Sequence, residues 1–75
     1  MNIGLIAHDA KKNLMQNFCV AYRGILSENT LYATGTTGRL IEEAANLNIH
    51  KYLAGHLNET IATICNIIEL SNHYD

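Results

Sequence analysis

From Thr34 to Gly38 the chain reads T-G-T-T-G, three hydroxyls and two bare-backbone positions in five consecutive residues. Apolar "LYA" precedes this run and "RLIEEA" follows it, the pattern of a strand end feeding a helix start. The first N–H groups of a helix lack intrahelical partners, and the helix dipole adds partial positive charge there. Such a corner suits an anion, and phosphate above all: Gly35 and Gly38 admit close backbone approach, and Thr34, Thr36 and Thr37 can donate to its oxygens. In a parallel α/β sheet, ligands bind beyond the carboxyl ends of the strands. The end of the first apolar run brings His8 and Asp9 to that side, an imidazole and a carboxylate able to move protons, with Lys11 and Lys12 in the next turn to supply full charge. A third run ends in Ala54, Gly55 and His56. Each residue also has a plain structural reading. Asp9, Thr36 or Thr37 can be a helix N-cap, the glycines can serve a tight turn, both lysines can sit on a solvated face, and His8 can be a hydrogen-bonded core residue.

Several classes of chemistry drop out. The loop matches neither a Walker A sequence nor G-x-G-x-x-G, so a nucleotide is not specified. His50, His56 and His73 lack metal-ligand spacing, and no metal or other cofactor is expected. Five Lys and Arg against seven Asp and Glu leave a net charge of −2, without the basic excess that nucleic-acid binding requires. Cys19 and Cys65 lie in apolar stretches with no C-x-x-C, which suits buried free thiols in a reducing compartment. The opening "MNIGLIAHD" has no basic leader region and only five apolar-run residues, Ile3 to Ala7, before His8. It is read as neither a signal peptide nor a membrane span, and the expected location is the cytoplasm.

The elements that must position these residues follow from hydrophobic period. "NIGLIAH" reads as a strand buried on both faces of a parallel sheet, and therefore central. Asp9 is a possible N-cap for a helix over "AKKNLMQNFCVAYRGI", in which Leu14, Met15, Phe18, Cys19 and Tyr22 recur at helical spacing and Gly24 offers a C-cap. "TLYAT" reads as a second strand, and "GRLIEEAANLN" as a second helix with Leu40, Ile41 and Ala44 inward and Arg39, Glu42 and Glu43 outward. "IHKYLAG" reads as a third strand, and "NETIATICNIIEL" as a third helix capped by Asn58 or Thr60, with Ile61, Ile64, Cys65 and Ile68 on one face. The alternation predicts a single α/β domain over residues 1–75, with helices on both faces of a parallel sheet. Three strands make a short sheet, so it is expected to be completed by another chain or by further sequence.

Taken together, "IGLIAHDAKK" and "LYATGTTGRLIEEA" closely resemble the N-terminal part of the methylglyoxal synthase family, up to about Gly55. That resemblance implies a Rossmann-like three-layer parallel-sheet fold and a homo-oligomer. It also implies cofactor-free conversion of dihydroxyacetone phosphate to methylglyoxal and inorganic phosphate. It makes Lys12, Thr34, Thr36 and Thr37 phosphate ligands, His8 and Asp9 the first-strand active-site pair, and Gly55 a backbone amide on the phosphate. The family continues S-G-P-[LM]-G-G-D-Q-Q, its aspartate being the catalytic base; this chain has "AGHLNETIA", in which only Glu59 could act as a carboxylate base. Related modules of the same fold bind phosphorylated ligands in regulatory roles. A non-catalytic binding module, taking a phosphorylated metabolite or inorganic phosphate, is therefore the alternative to a synthase.

Overall fold

The computed structural model describes residues 1–53 and 66–70. Strand β1 (Asn2–Ala7) leads through a 3-10 turn (Asp9–Lys11) into helix α1 (Lys12–Ala21) and the single-turn helix α2 (Arg23–Leu26). Strand β2 (Thr30–Thr34), helix α3 (Gly35–Ala45), strand β3 (Ile49–Tyr52) and strand β4 (Asn66–Leu70) follow. The four strands form one sheet, β3-β2-β1-β4, in which every pairing is parallel.

The expected central strand is β1, which lies between β2 and β4. Ile3, Gly4, Leu5 and Ala7 are buried along it, the near-continuous burial of a strand covered by its sheet neighbours and by helices. Ile3 aligns with Leu31, which aligns with Ile49, and Leu5 aligns with Ala33. Met15 and Cys19 of α1 and Ile41 and Ala45 of α3 complete the core with this row. Burial pushes the Cys19 thiol up to about 11, so it stays protonated and unreactive at neutral pH. Among the described residues, no helix is long and apolar enough to cross a membrane.

The largest departure from the sequence expectation is at Asn66–Leu70, which forms β4 rather than the end of a helix. Its backbone pairs from Ile3↔Asn66 to Ala7↔Leu70 along the side of β1 that β2 leaves free. "NIIEL" is short enough for its apolar period to fit a helix turn or a strand, and β-branched Ile67 and Ile68 favour the pleated choice once an edge is open. The stretch containing Asn58, Thr60, Ile61, Ile64 and Cys65 lies outside the described residues, as do Ala54, Gly55, His56 and Glu59.

Local signals also resolve differently. G-T-T-G, Gly35 to Gly38, is the first turn of α3 and not a loop before it: Thr34 ends β2 in an extended conformation and Gly35 is already helical. Thr36 and Thr37 are therefore not N-caps, and Thr34, at the cap position, makes no side-chain capping bond. Starting the helix this early turns Thr37 and Gly38 inward, where both are buried. Asp9 does not cap α1, since its side chain is fully exposed and a 3-10 turn intervenes. Gly24 is not a left-handed C-cap; it lies inside α2, and the first helix breaks at Tyr22. The left-handed cap is Asn46 after α3, with φ 53°, whose N–H donates to the carbonyl of Glu42. On α3 the inward alanine is Ala45 and not Ala44, because it stands four residues from buried Ile41 on the same stripe. On α1, Leu14 and Tyr22 are 51% and 50% exposed, which leaves Met15 and Cys19 as its buried anchors.

Candidate functional site

Chain direction puts the carboxyl ends of all four strands on one side of the sheet, and the first turns of α1 and α3 begin there. Lys12 joins the two. Its Nζ donates to the carbonyl of Ala7 at 3.1 Å and to Oγ1 of Thr37 at 2.9 Å, linking the end of β1 to the first turn of α3. The side chain is only 19% exposed, and Asp9 Oδ1 lies 3.7 Å from the ammonium. That carboxylate is fully exposed and solvated, so it offsets little of the lysine charge.

An open cleft of about 580 Å³ lies over this corner, lined by Lys12, Thr34, Gly35, Thr36, Arg39 and Lys51. Tyr52 and Leu53, at the end of β3, form its outer wall. The opening N–H groups of α3 belong to Gly35, Thr36 and Thr37, and they have no carbonyl one turn earlier to bond within the helix. The cleft thus combines helix-terminal amides, hydroxyls and three cationic side chains, a surface complementary to a small phosphorylated anion. Lys51 is partly neutralised, because its Nζ reaches both carboxylate oxygens of Glu42 at 2.9 Å. The same ammonium holds the Glu42 carboxyl below its ordinary range.

The residues singled out from sequence fall in three places. Lys12, Thr34, Gly35 and Thr36 line the cleft. Thr37 and Gly38 stand behind it: Thr37 is 2% exposed with its oxygen held by Lys12, and Gly38 packs so close to β3 that an added Cβ would fall 2.8 Å from Cγ of Lys51. His8 and Asp9 flank the cleft at the end of β1, with His8 partly exposed rather than a core residue and its N–H bonded to the carbonyl of Leu70. Lys12, the second of the two adjacent lysines, is the one that lines the cleft.

Two cleft cations were not anticipated. Arg39 reads as an outward helix residue and Lys51 as a strand residue, yet both line the cleft. Arg39 is three residues beyond Thr36 and so on its face of α3, a helical offset visible in the sequence; Lys51 needed the β2–β3 register. Glu69 is the third addition. It stands on β4 with Oε2 3.5 Å from Nε2 of His8. Among the described residues, no group of three or more His, Cys, Asp or Glu side chains is placed to hold a metal ion.

No protein-family model matches the chain. Over 57 residues, 76% of its length, it is 65% identical to a methylglyoxal synthase of Caldicellulosiruptor saccharolyticus, of which that match covers 40%. Over 55 residues it is 53% identical to a methylglyoxal synthase of Thermoanaerobacterium thermosaccharolyticum, covering 73% of this chain and 41% of that one. Its fold superposes on a crystal structure of methylglyoxal synthase from Elizabethkingia anophelis with a TM-score of 0.85 at 32% identity, over 95% of this chain and 52% of the other. The chain thus spans about two-fifths of the length of the curated relatives and about half of the solved structure. By sequence over its N-terminal three-quarters and by its parallel α/β fold, the chain is similar to methylglyoxal synthases.

Proposed function

We propose that the chain binds the phosphate group of a small phosphorylated ketone, dihydroxyacetone phosphate, in the cleft above α3. The phosphate sits on the amides of Gly35 and Thr36 and the hydroxyls of Thr34 and Thr36, with Lys12 and Arg39 supplying charge. Held there, the substrate can lose a C3 proton to a base, and the electron pair left behind forms an enediolate. That enediolate then expels inorganic phosphate as its C–O bond breaks, leaving the enol of methylglyoxal, whose terminal methylene carbon takes up a proton to give methylglyoxal. A fixed phosphate lowers the cost of both steps by orienting the breaking C–H and C–O bonds and by stabilising the departing charge. The observation that carries this reading is the convergence of Lys12, Thr34, Gly35 and Thr36 on one cleft in a region so similar to methylglyoxal synthases.

A second reading, a binding module without turnover, is favoured by the sequence after Gly55, where "HLNETIA" replaces the aspartate-bearing motif of the family. Losing a placed general base costs roughly 10²- to 10⁴-fold in rate. Isothermal titration with inorganic phosphate and a colorimetric assay for methylglyoxal, run on the same preparation, separate the two readings. Phosphate binding with turnover supports the synthase, binding without turnover supports the module, and a Thr36→Val variant that binds phosphate as tightly as the parent overturns the phosphate site itself.

A further inference from the structure

The strand order turns back on itself at β1. The chain proceeds from β1 to β2 to β3 on one side and then places β4 on the other, so the ends of β1 and β4 flank the point at which connections leave in opposite directions. Crevices of open α/β sheets form at such points. At this point stand His8, just past the end of β1, and Glu69, one residue from the end of β4, with Nε2 to Oε2 at 3.5 Å. Both side chains are accessible, at 41% and 50% exposed. Two backbone features fix their separation: Ile6 pairs with Glu69, and the N–H of His8 donates to Leu70 at 2.9 Å.

The same register relates this pair to the phosphate cleft. Leu5 pairs with Ala33, so one step further Ile6 lies beside Thr34, and Glu69, Ile6 and Thr34 form one row across the sheet with side chains on the same face. Two strand spacings separate Glu69 from Thr34, about 10 Å between Cα atoms. A three-carbon phosphate ester held by its phosphate at Thr34 and extended along this row would bring its far carbon toward His8 and Glu69.

Resting on the phosphate reading above, we propose that His8 and Glu69 form an imidazole–carboxylate pair that handles the proton of the bound ketone, with Glu69 as the positioning residue. With Nε2 3.5 Å from Oε2 of Glu69, an Nε2–H turned to that carboxylate would leave the free lone pair on Nδ1. Nδ1 takes the C3 proton, the C–H electron pair becomes the enediolate, and the imidazolium that results is stabilised by the Glu69 carboxylate. The pair supplies, from β1 and β4, a proton acceptor that does not depend on the family aspartate.

The test uses the intact chain and two ligands, inorganic phosphate and phosphoglycolohydroxamate, whose planar hydroxamate mimics the enediolate. Isothermal titration is expected to show Glu69→Gln binding phosphate within about twofold of the parent and the mimic roughly tenfold more weakly, the loss of one charge-assisted contact. Glu69→Asp, which retains the charge on a shorter stem, is expected to lose less. His8→Gln should weaken the mimic similarly, and the His8→Gln, Glu69→Gln double variant should be no weaker than His8→Gln alone, because Glu69 acts through His8. Glu69→Gln that leaves mimic binding unchanged, or weakens both ligands equally, overturns the pair, as do losses that multiply in the double variant. A parent that binds phosphate but holds the mimic no more tightly overturns the pair alone. A parent that binds neither overturns the phosphate reading, and the pair with it.

Discussion

Lys12 donates to Thr37 at 2.9 Å across 25 residues of sequence, and this bond locks the first turn of α1 to the first turn of α3. With Thr37 2% exposed, loss of its hydroxyl strands a largely buried ammonium with one fewer acceptor. Thr37→Val is therefore expected to lower stability by about 1–2 kcal/mol, and Thr37→Ser by well under ~1 kcal/mol, in urea unfolding followed by circular dichroism. Equal losses for the two variants would show that the methyl group, and not the hydroxyl, matters.

The charge balance of the cleft can be shifted without touching the lining hydroxyls. Glu42 holds Lys51 at 2.9 Å, so Glu42→Gln frees an ammonium at the cleft wall. Phosphate affinity is expected to rise roughly two- to fivefold at low ionic strength and to return toward the parent value as salt screens the added charge. Arg39→Gln should act in the opposite sense, weakening phosphate with a shallower salt dependence. Titrations at two salt concentrations check both; a gain in Glu42→Gln that ignores salt would place the effect elsewhere than in charge.

Gly35 and Gly38 share one helical turn but face different surroundings. A Cβ at Gly35 meets nothing within 4 Å, whereas one at Gly38 falls 2.8 Å from Cγ of Lys51 and 3.2 Å from Cγ2 of Ile49. Gly35→Ala is expected to stabilise the chain by about 0.4–1 kcal/mol by restricting the unfolded backbone. At Gly38 the same gain is opposed by overpacking worth about 1–3 kcal/mol, so Gly38→Ala should unfold at lower urea than the parent. Matching midpoints for the two variants would rule out the close approach of α3 to β3.

Cys19 is fully buried, and its thiol is shifted from 9.0 to about 11 by desolvation. At neutral pH it should resist alkylation in the folded chain and react only on unfolding, as peptide mapping after iodoacetamide treatment will show. The unfolded chain gives up this proton near its ordinary value while the folded chain keeps it, so the thiol's contribution to stability is complete below 9.0 and declines as pH rises toward 11. A parent that loses stability over that range faster than Cys19→Ala confirms the sign.

Local chemistry in the sequence determined the parallel α/β order through β3, the central position of β1 and the hydroxyl- and glycine-rich helix start after β2. Each depends on residues near one another in the chain: an unbroken apolar run, an amphipathic period, hydroxyls and glycines at a helix start. Tertiary structure decided the rest. "NIIEL" is a strand because β1 had a free edge to pair, a fact set by residues more than sixty positions away. Which lysine enters the cleft, which threonine turns inward, and that Lys51 lines the wall all depend on register between elements, which side-chain period does not encode. The meeting of His8 with Glu69 is the extreme case, because hydrophobic period placed Glu69 on a helix and only parallel pairing brought its carboxylate to the imidazole. Period reports which face of an element is apolar, whereas pairing across a sheet selects the neighbours, and functional groups at strand ends are assembled by the second.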